Sequence, residues 1–184
     1  MLQERIEGKW LACFRRVFAL NGIKAKTTVT VISETQSRPV LIHLSELALY
    51  DLGADFCMIQ MPTPPQTAPV PVKGTGTSMA VQQNRAAIEA MKQCEVIVDC
   101  TVEGMIHAAE WPEIEAAGAR ILVVTNEHPE ILERTEPKAE LAPKVDLGVQ
   151  MLSEAKEMRI TSAAGTDLTV DLTDAPCGGT PGFG

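Results

Sequence analysis

The sequence has few aromatic residues, no long apolar run and no excess of positive charge. Phe, Trp and Tyr make up 4% of the 184 residues, so the core must consist mostly of aliphatic side chains and methionine. No segment reaches the run of about 18 apolar residues that a membrane-spanning helix needs. The formal net charge of −8 argues against a nucleic-acid partner, because phosphate binding requires clustered Lys and Arg.

The patterns of an exported protein are also missing. The five cysteines are an odd number without a CxxC pair, and we interpret them as reduced thiols that are mostly small buried apolar side chains. The amino-terminal segment MLQERIEGKW carries charges where a signal peptide requires an apolar stretch. We therefore expect a cytoplasmic protein with neither a membrane nor a nucleic acid as its partner.

The sequence lacks local motifs for metal, nucleotide or nucleophile sites. The three histidines form no HxH, HxxxH or HExxH pair. There is no GxSxG elbow, and the Gly- and Thr-rich run at 74–78 has neither the third glycine of GxGxxG nor the ending of a P-loop. We interpret that run as a flexible loop that ends in a helix N-cap.

Apolar residues follow helical and strand spacing in alternation along most of the chain. Helices are predicted over 2–20, 39–52, 79–93 with Ser78 as N-cap, 110–117, from Pro129, and over 138–157. Strands are predicted over 27–33, 56–61, 95–100 and 120–125, followed by a hairpin over 159–172. This alternation indicates an α/β fold: a Rossmann-like three-layer domain with a mostly parallel sheet, plus a C-terminal β-hairpin extension.

Two segments rich in proline and glycine stand outside this pattern. The segment 62–78 holds five prolines and two glycines, which predicts a long loop. Residues 174–184 show no apolar periodicity. We therefore divide the chain into an α/β domain over 1–173 and a Gly- and Pro-rich tail, or the start of a linker, over 174–184.

Candidate site residues follow the predicted strands, where an open parallel sheet binds its ligands. The segments that qualify are 33–35, the Pro-rich loop, 100–107 and 125–128. Glu34, Asp99 and Glu127 could supply oxygen ligands for a metal there.

Among the three histidines, His107 is the strongest candidate for acid–base chemistry. It follows the third predicted strand, and Asp99 and Glu103 are close enough in sequence to orient its imidazole. The alternative is that His107 is an ordinary surface histidine. His128 is more simply a solvated residue at a helix start, and His43 is more simply a helix residue.

Three segments carry a family resemblance: IVDCTVEGMIHAAEW, AGARILVVTNEHPEILER and, most specifically, SEAKEMRITSAAGTDLTVDL. Together they resemble the 2,5-dihydroxypyridine 5,6-dioxygenases and, more distantly, the aminopeptidase T-type metallopeptidases. Residues 1–95 match only as a succession of helices and strands with a Pro-rich loop.

The resemblance implies a substrate-side α/β domain followed by a C-terminal domain that holds the metal. In such dioxygenases two His and one carboxylate of the C-terminal part hold a mononuclear non-haem Fe(II), which leaves positions open for substrate and O₂. The resemblance assigns to His107 the role of a catalytic acid–base residue. We expect this chain to hold no metal itself, with 174–184 leading toward the metal domain.

The expected function is the substrate-side domain of a non-haem Fe(II) dioxygenase that cleaves dihydroxypyridine-type N-heterocycles. Such a chain would be an enzyme as part of a longer protein and inactive as the isolated 184 residues. The expected partners are a small-molecule substrate and further copies of the same chain in a homo-oligomer. The alternatives are the N-terminal domain of an aminopeptidase T-like metallopeptidase and a non-catalytic oligomerisation or ligand-binding module.

Overall fold

A computed structural model gives the structure of the chain for residues 4–65, 78–124 and 126–183. The chain divides into two compact units, Met1–Glu136 and Pro137–Gly184. The predicted boundary between 173 and 174 stays a prediction. No helix in the described ranges is long and apolar enough to cross a membrane.

In its described part, the first unit alternates helices with the strands of a parallel sheet. The helices are α1 (Gly8–Leu20), α2 (Pro39–Leu52), α3 (Arg85–Met91), α4 (Trp111–Glu115) and α5 (Pro129–Arg134). The strands are β1 (Thr28–Glu34), β2 (Asp55–Met61), β3 (Val96–Asp99) and β4 (Arg120–Val123). All four strands run parallel in the order β2-β1-β3-β4, which confirms the predicted α/β class and its parallel sheet.

Alternate side chains of the central strand β1 pack on opposite faces of the sheet. Val29 and Val31 belong to a core cluster with α1 and α2, which includes the fully buried Phe14 and Phe18. Ile32 belongs to a second cluster, formed with α3 and α4. Because successive residues of a strand point to opposite faces, this alternation produces the predicted three-layer arrangement.

Helix α2 begins and ends where the sequence predicts. Pro39 occupies its first turn, where the missing backbone N–H would have no partner within the helix in any case. Gly53 ends the helix in the left-handed conformation, with a φ of 70° that a residue without a Cβ adopts at little cost. Local signals alone therefore determine both boundaries of α2.

The predicted start of the next helix was wrong. Helix α3 is capped by Asn84, whose side chain accepts a hydrogen bond from a backbone N–H of the first turn. Ser78 instead forms a parallel bridge with Ala108, in the loop after β3. Gln82 and Gln83 have φ values of 53° and 54°, and a right-handed helix cannot continue through that conformation.

The cysteines are free, as predicted, but they are less buried than expected. All five are unpaired. Cys13 and Cys100 are buried, and burial raises the pKa of each thiol to about 12. Cys57 is exposed because β2 lies at the edge of the sheet, and Cys94 and Cys177 are partly exposed.

The described part of the second unit contains one α-helix and an antiparallel hairpin. Its elements are a 3₁₀ helix (Ala139–Leu141), α6 (Ala142–Glu154), β5 (Glu157–Thr161) and β6 (Asp167–Asp171). The hairpin confirms the predicted extension, and the Arg159 guanidinium pairs with Asp167 across it at 2.8 Å. The predicted helix 138–157 is shorter because it begins as 3₁₀ and its last residue belongs to β5.

The cap at Asn84 gives a test of the corrected helix start. We expect Asn84→Ala to lower the free energy of unfolding by about 1 kcal/mol, since an N–H of the first turn loses its acceptor. Asn84→Asp retains a side-chain oxygen at the same position and should remain close to the wild type. Urea denaturation measures both values, and equal stability of the two variants would contradict the assigned cap.

Candidate functional site

The strand order of the sheet reverses at the carboxyl ends of β1 and β3. The helix that follows β1, α2, packs in one core cluster, whereas the helix that follows β3, α4, packs in the other. The loops after these two neighbouring strands therefore leave toward opposite faces. A crevice at such a switch point is where open α/β sheets bind their ligands. Glu34 is the last residue of β1, and Asp99 is the last residue of β3.

Glu34 places a buried carboxyl group at this edge of the sheet. The residue is 1% exposed, and neither Oε1 nor Oε2 has a hydrogen-bond partner among residues 4–65, 78–124 and 126–183. Its backbone, in contrast, is held on both sides by Ser37. The Glu34 N–H donates to Ser37 Oγ at 2.7 Å, and the Glu34 carbonyl accepts from the Ser37 N–H at 3.0 Å. The backbone at the strand end is thus held by hydrogen bonds, whereas the buried carboxyl oxygens are not.

Burial raises the pKa of the Glu34 carboxyl from its ordinary value of 4.5 to about 7. The Thr63 side chain and the Val102 backbone lie close enough to offset part of this effect, but neither satisfies a carboxyl oxygen with good hydrogen-bond geometry. The negative charges of Asp99 and Glu103 raise the pKa further. Up to about neutral pH the carboxyl therefore carries a proton, and it can both donate and accept a hydrogen bond.

Asp99 is also fully buried, but its carboxylate is bonded within the loop that follows β3. Oδ1 accepts from the Thr101 N–H at 2.9 Å and from Thr101 Oγ1 at 2.6 Å, and Oδ2 accepts from the Met105 N–H at 2.6 Å. The Thr101 hydroxyl in turn accepts from the Gly104 N–H at 3.1 Å. These bonds fold the loop against the sheet, which gives Asp99 a structural role.

His107, the predicted acid–base residue, lies on this same loop. Its side chain is exposed, and its backbone carbonyl accepts from the Ser78 N–H at 3.3 Å. That bond joins the loop after β3 to the end of the Pro-rich loop. The imidazole is therefore presented to solvent from a loop whose backbone is held in place, and its catalytic role stays a prediction.

The other two histidines have simpler roles. His128 is the N-cap of α5, where its Nδ1 accepts from the Glu130 N–H at 3.2 Å, and its ring meets the Trp10 ring edge-on at 5.1 Å. It is half-buried rather than solvated, because Trp10 covers one side. His43 is an exposed residue of α2, as predicted.

Two predicted site segments lie wholly or partly outside the described residues. The Pro-rich loop is described only at 62–65 and at Ser78, and Thr125 is also outside. Glu127 is exposed and lines a cleft of about 170 Å³ beside α5, together with Leu41, His128 and Thr135.

The described residues do not fit a bound Fe(II). Among residues 4–65, 78–124 and 126–183, no three His, Cys, Asp or Glu side chains come together to hold a metal ion. The oxygens of Asp99 accept hydrogen bonds from backbone and hydroxyl donors, and Glu34 favours a proton, whereas metal ligands must be deprotonated.

Comparisons with known proteins agree on one family. The family model for 2,5-dihydroxypyridine 5,6-dioxygenase (NicX) matches residues 9–184. The chain is 25% identical over 165 residues to the 2,5-dihydroxypyridine 5,6-dioxygenase of Pseudomonas putida, which covers 89% of this chain and 46% of that protein. A solved structure of 2,5-dihydroxypyridine dioxygenase from Pseudomonas putida KT2440 has the same fold, with a TM-score of 0.77 and 24% identity over 88% of this chain and 46% of that one. The chain thus spans about half the length of these relatives.

The shifted pKa of Glu34 predicts how stability depends on pH. The folded protein holds the Glu34 proton more tightly than the unfolded chain does. The stabilisation that this proton gives to the folded state is therefore fully present below pH 4.5 and is lost as the pH rises to about 7. The loss should be roughly 3 kcal/mol. Glu34→Gln keeps the neutral shape and should remove this loss.

Urea denaturation of both proteins from about pH 4 to about pH 8 measures the effect. Glu115→Gln, at an exposed position of α4, is the matched control and should retain the pH profile of the wild type. Parallel profiles for the wild type and Glu34→Gln would show that the Glu34 carboxyl is not held neutral.

Proposed function

Because the chain belongs to the 2,5-dihydroxypyridine 5,6-dioxygenase family, we propose that it is the substrate-side α/β domain of an enzyme that opens a dihydroxypyridine ring with O₂. The family match over residues 9–184 carries this proposal. It favours the dioxygenase over an aminopeptidase T-like enzyme and over a non-catalytic module. Cytoplasmic location and homo-oligomerisation stay predictions.

The geometry of the carboxyl edge supports a substrate-facing role. The end of β1 carries a neutral buried carboxyl, and the loop after the neighbouring β3 presents an exposed imidazole. Small aromatic substrates are bound by sites of this kind, with mostly apolar walls and a few placed polar groups. Buried apolar residues, including Ile32, Met61 and Met105, belong to the core cluster on the face of the sheet toward which Glu34 points.

The metal belongs to another part of the proposed enzyme. Since the described residues do not provide a ligand set, we assign Fe(II) to the portion of the relatives that this chain does not cover. The isolated chain is then inactive, and its residues act only on the substrate. No step that involves iron is assigned to them.

His107 is the proposed acid–base residue of this domain. A group that takes a proton from a ring hydroxyl must exchange protons near neutral pH, which histidine side chains do without special tuning. His107 meets the geometric requirement as well, because its exposed side chain lies on the loop that leaves the carboxyl end of β3.

The test is the variant His107→Ala in a protein that includes the metal-holding part. Turnover of 2,5-dihydroxypyridine should fall by roughly 10²- to 10⁴-fold, the usual effect of losing an acid–base group. Iron content and melting temperature should remain at wild-type values, since His107 is exposed and holds no metal. Loss of substrate absorbance measures turnover.

His43→Ala is the matched control, because His43 is an equally exposed histidine on α2 and should leave turnover unchanged. Normal turnover of His107→Ala with normal iron content would remove His107 from the mechanism. If a wild-type protein with bound iron did not consume 2,5-dihydroxypyridine at all, the proposed reaction itself would be wrong.

A further inference from the structure

The unpartnered carboxyl of Glu34 requires a physical explanation. A buried polar group without a hydrogen bond typically costs about 1–3 kcal/mol, and native proteins rarely leave one unpaired. Ile32, two residues earlier on the same strand and on the same face, is buried in an apolar cluster, so Glu34 extends from an apolar surface. A carboxyl group whose two oxygens lack partners in the described part of the chain is well placed to bond to a molecule from outside it.

The groups around Glu34 restrict what that molecule can be. Thr63 and Val102, which approach the carboxyl, belong to the loops after β2 and β3, and each is itself partly exposed to solvent. Asp99 and Glu103, whose charges raise the pKa of Glu34, are both acidic. An anionic ligand is therefore disfavoured, whereas a neutral molecule with its own hydrogen-bond donor is suited to this position.

We propose that Glu34 recognises the lactam edge of a 2-hydroxypyridine ring by a pair of hydrogen bonds. A 2-hydroxypyridine interconverts with its 2-pyridone form, in which a ring N–H and a carbonyl oxygen are adjacent. The neutral Glu34 carboxyl donates its O–H to that carbonyl, and its other oxygen accepts from the ring N–H. The inference rests on the proposed function and names the feature of the substrate that the Glu34 carboxyl recognises.

This pairing makes Glu34 a specificity residue for nitrogen heterocycles. A benzene ring with one hydroxyl group has no N–H next to its oxygen, so it forms only one of the two bonds. An ionised carboxylate has acceptors only, and it would repel the pyridone oxygen. Binding should therefore require the neutral carboxyl and weaken as the pH rises through about 7.

The experiment is a calorimetric titration of this chain with 2-pyridone, without metal, at about pH 5.5 and about pH 8.5. Wild-type affinity should fall about 30-fold between these values, because only the protonated fraction of Glu34 binds. Glu34→Gln keeps one donor and one acceptor and should bind equally at both pH values. Glu34→Leu should bind at least about tenfold more weakly than the wild type at the lower pH.

Phenol and the variant Glu115→Gln complete the design. Phenol should bind the wild type more weakly than 2-pyridone, and Glu115→Gln should behave as the wild type does. A pH dependence that persists in Glu34→Gln would arise from Asp99, Glu103 or His107 and would overturn the proposal. Equal affinity of the wild type and Glu34→Leu, or no binding of 2-pyridone to the wild type, would also overturn it.

The two proposals fail in different ways. If the reaction is assigned wrongly, the metal-loaded protein does not consume 2,5-dihydroxypyridine, although 2-pyridone still binds through Glu34. If the role of Glu34 is assigned wrongly, the binding experiment fails while turnover and its dependence on His107 remain. Circular dichroism of each variant at both pH values shows whether the variant is folded, so that affinities are compared between folded proteins.

Discussion

Right-handed crossover connections oblige the chain to place α2 and α4 on opposite faces of its parallel sheet. β1 and β3 are hydrogen-bonded neighbours, so the loops that leave them must diverge from adjacent points. The position of the candidate site depends on this divergence. Glu34 and Asp99 lie at this site because each is the last residue of its strand.

The two buried carboxyl groups at this site have opposite consequences. Asp99 receives hydrogen bonds from Thr101 and Met105, and these bonds fold the loop that carries His107. Glu34 receives none at either oxygen from the described residues, so desolvation dominates and the proton is retained. The Asp99 carboxylate thus organises the loop, while the Glu34 carboxyl stays neutral and without such bonds.

The elements that the sequence predicts correctly are those with local signals. Helix α2 begins at Pro39 and ends before Gly53, and β-branched residues predominate in the central strand β1. Both elements can therefore be predicted without knowledge of the rest of the chain. The start of α3 could not be predicted in this way, because Ser78 is a good N-cap by type but pairs with Ala108, which is distant in sequence.

The sequence predicts where the candidate site residues lie but not the protonation state of Glu34. The alternation of strands and helices places residues 33–35 and 100–107 at the carboxyl edge, and the structure agrees. The neutral state of Glu34 results from its burial, which outweighs the opposing effect of Thr63 and Val102, and no local sequence pattern predicts that burial. Likewise, Trp10 beside His128 comes from α1 and explains why His128 is not solvated.

The neutral state of the Glu34 carboxyl at the switch point of the sheet can be measured directly. The most direct measurement is a carbon-13 NMR titration of the glutamate side-chain carboxyl carbons, in which the resonance that disappears in Glu34→Gln identifies Glu34. We expect a titration midpoint for this resonance at about pH 7, because burial raises the pKa of Glu34. A midpoint at the ordinary glutamate value of 4.5 would contradict it.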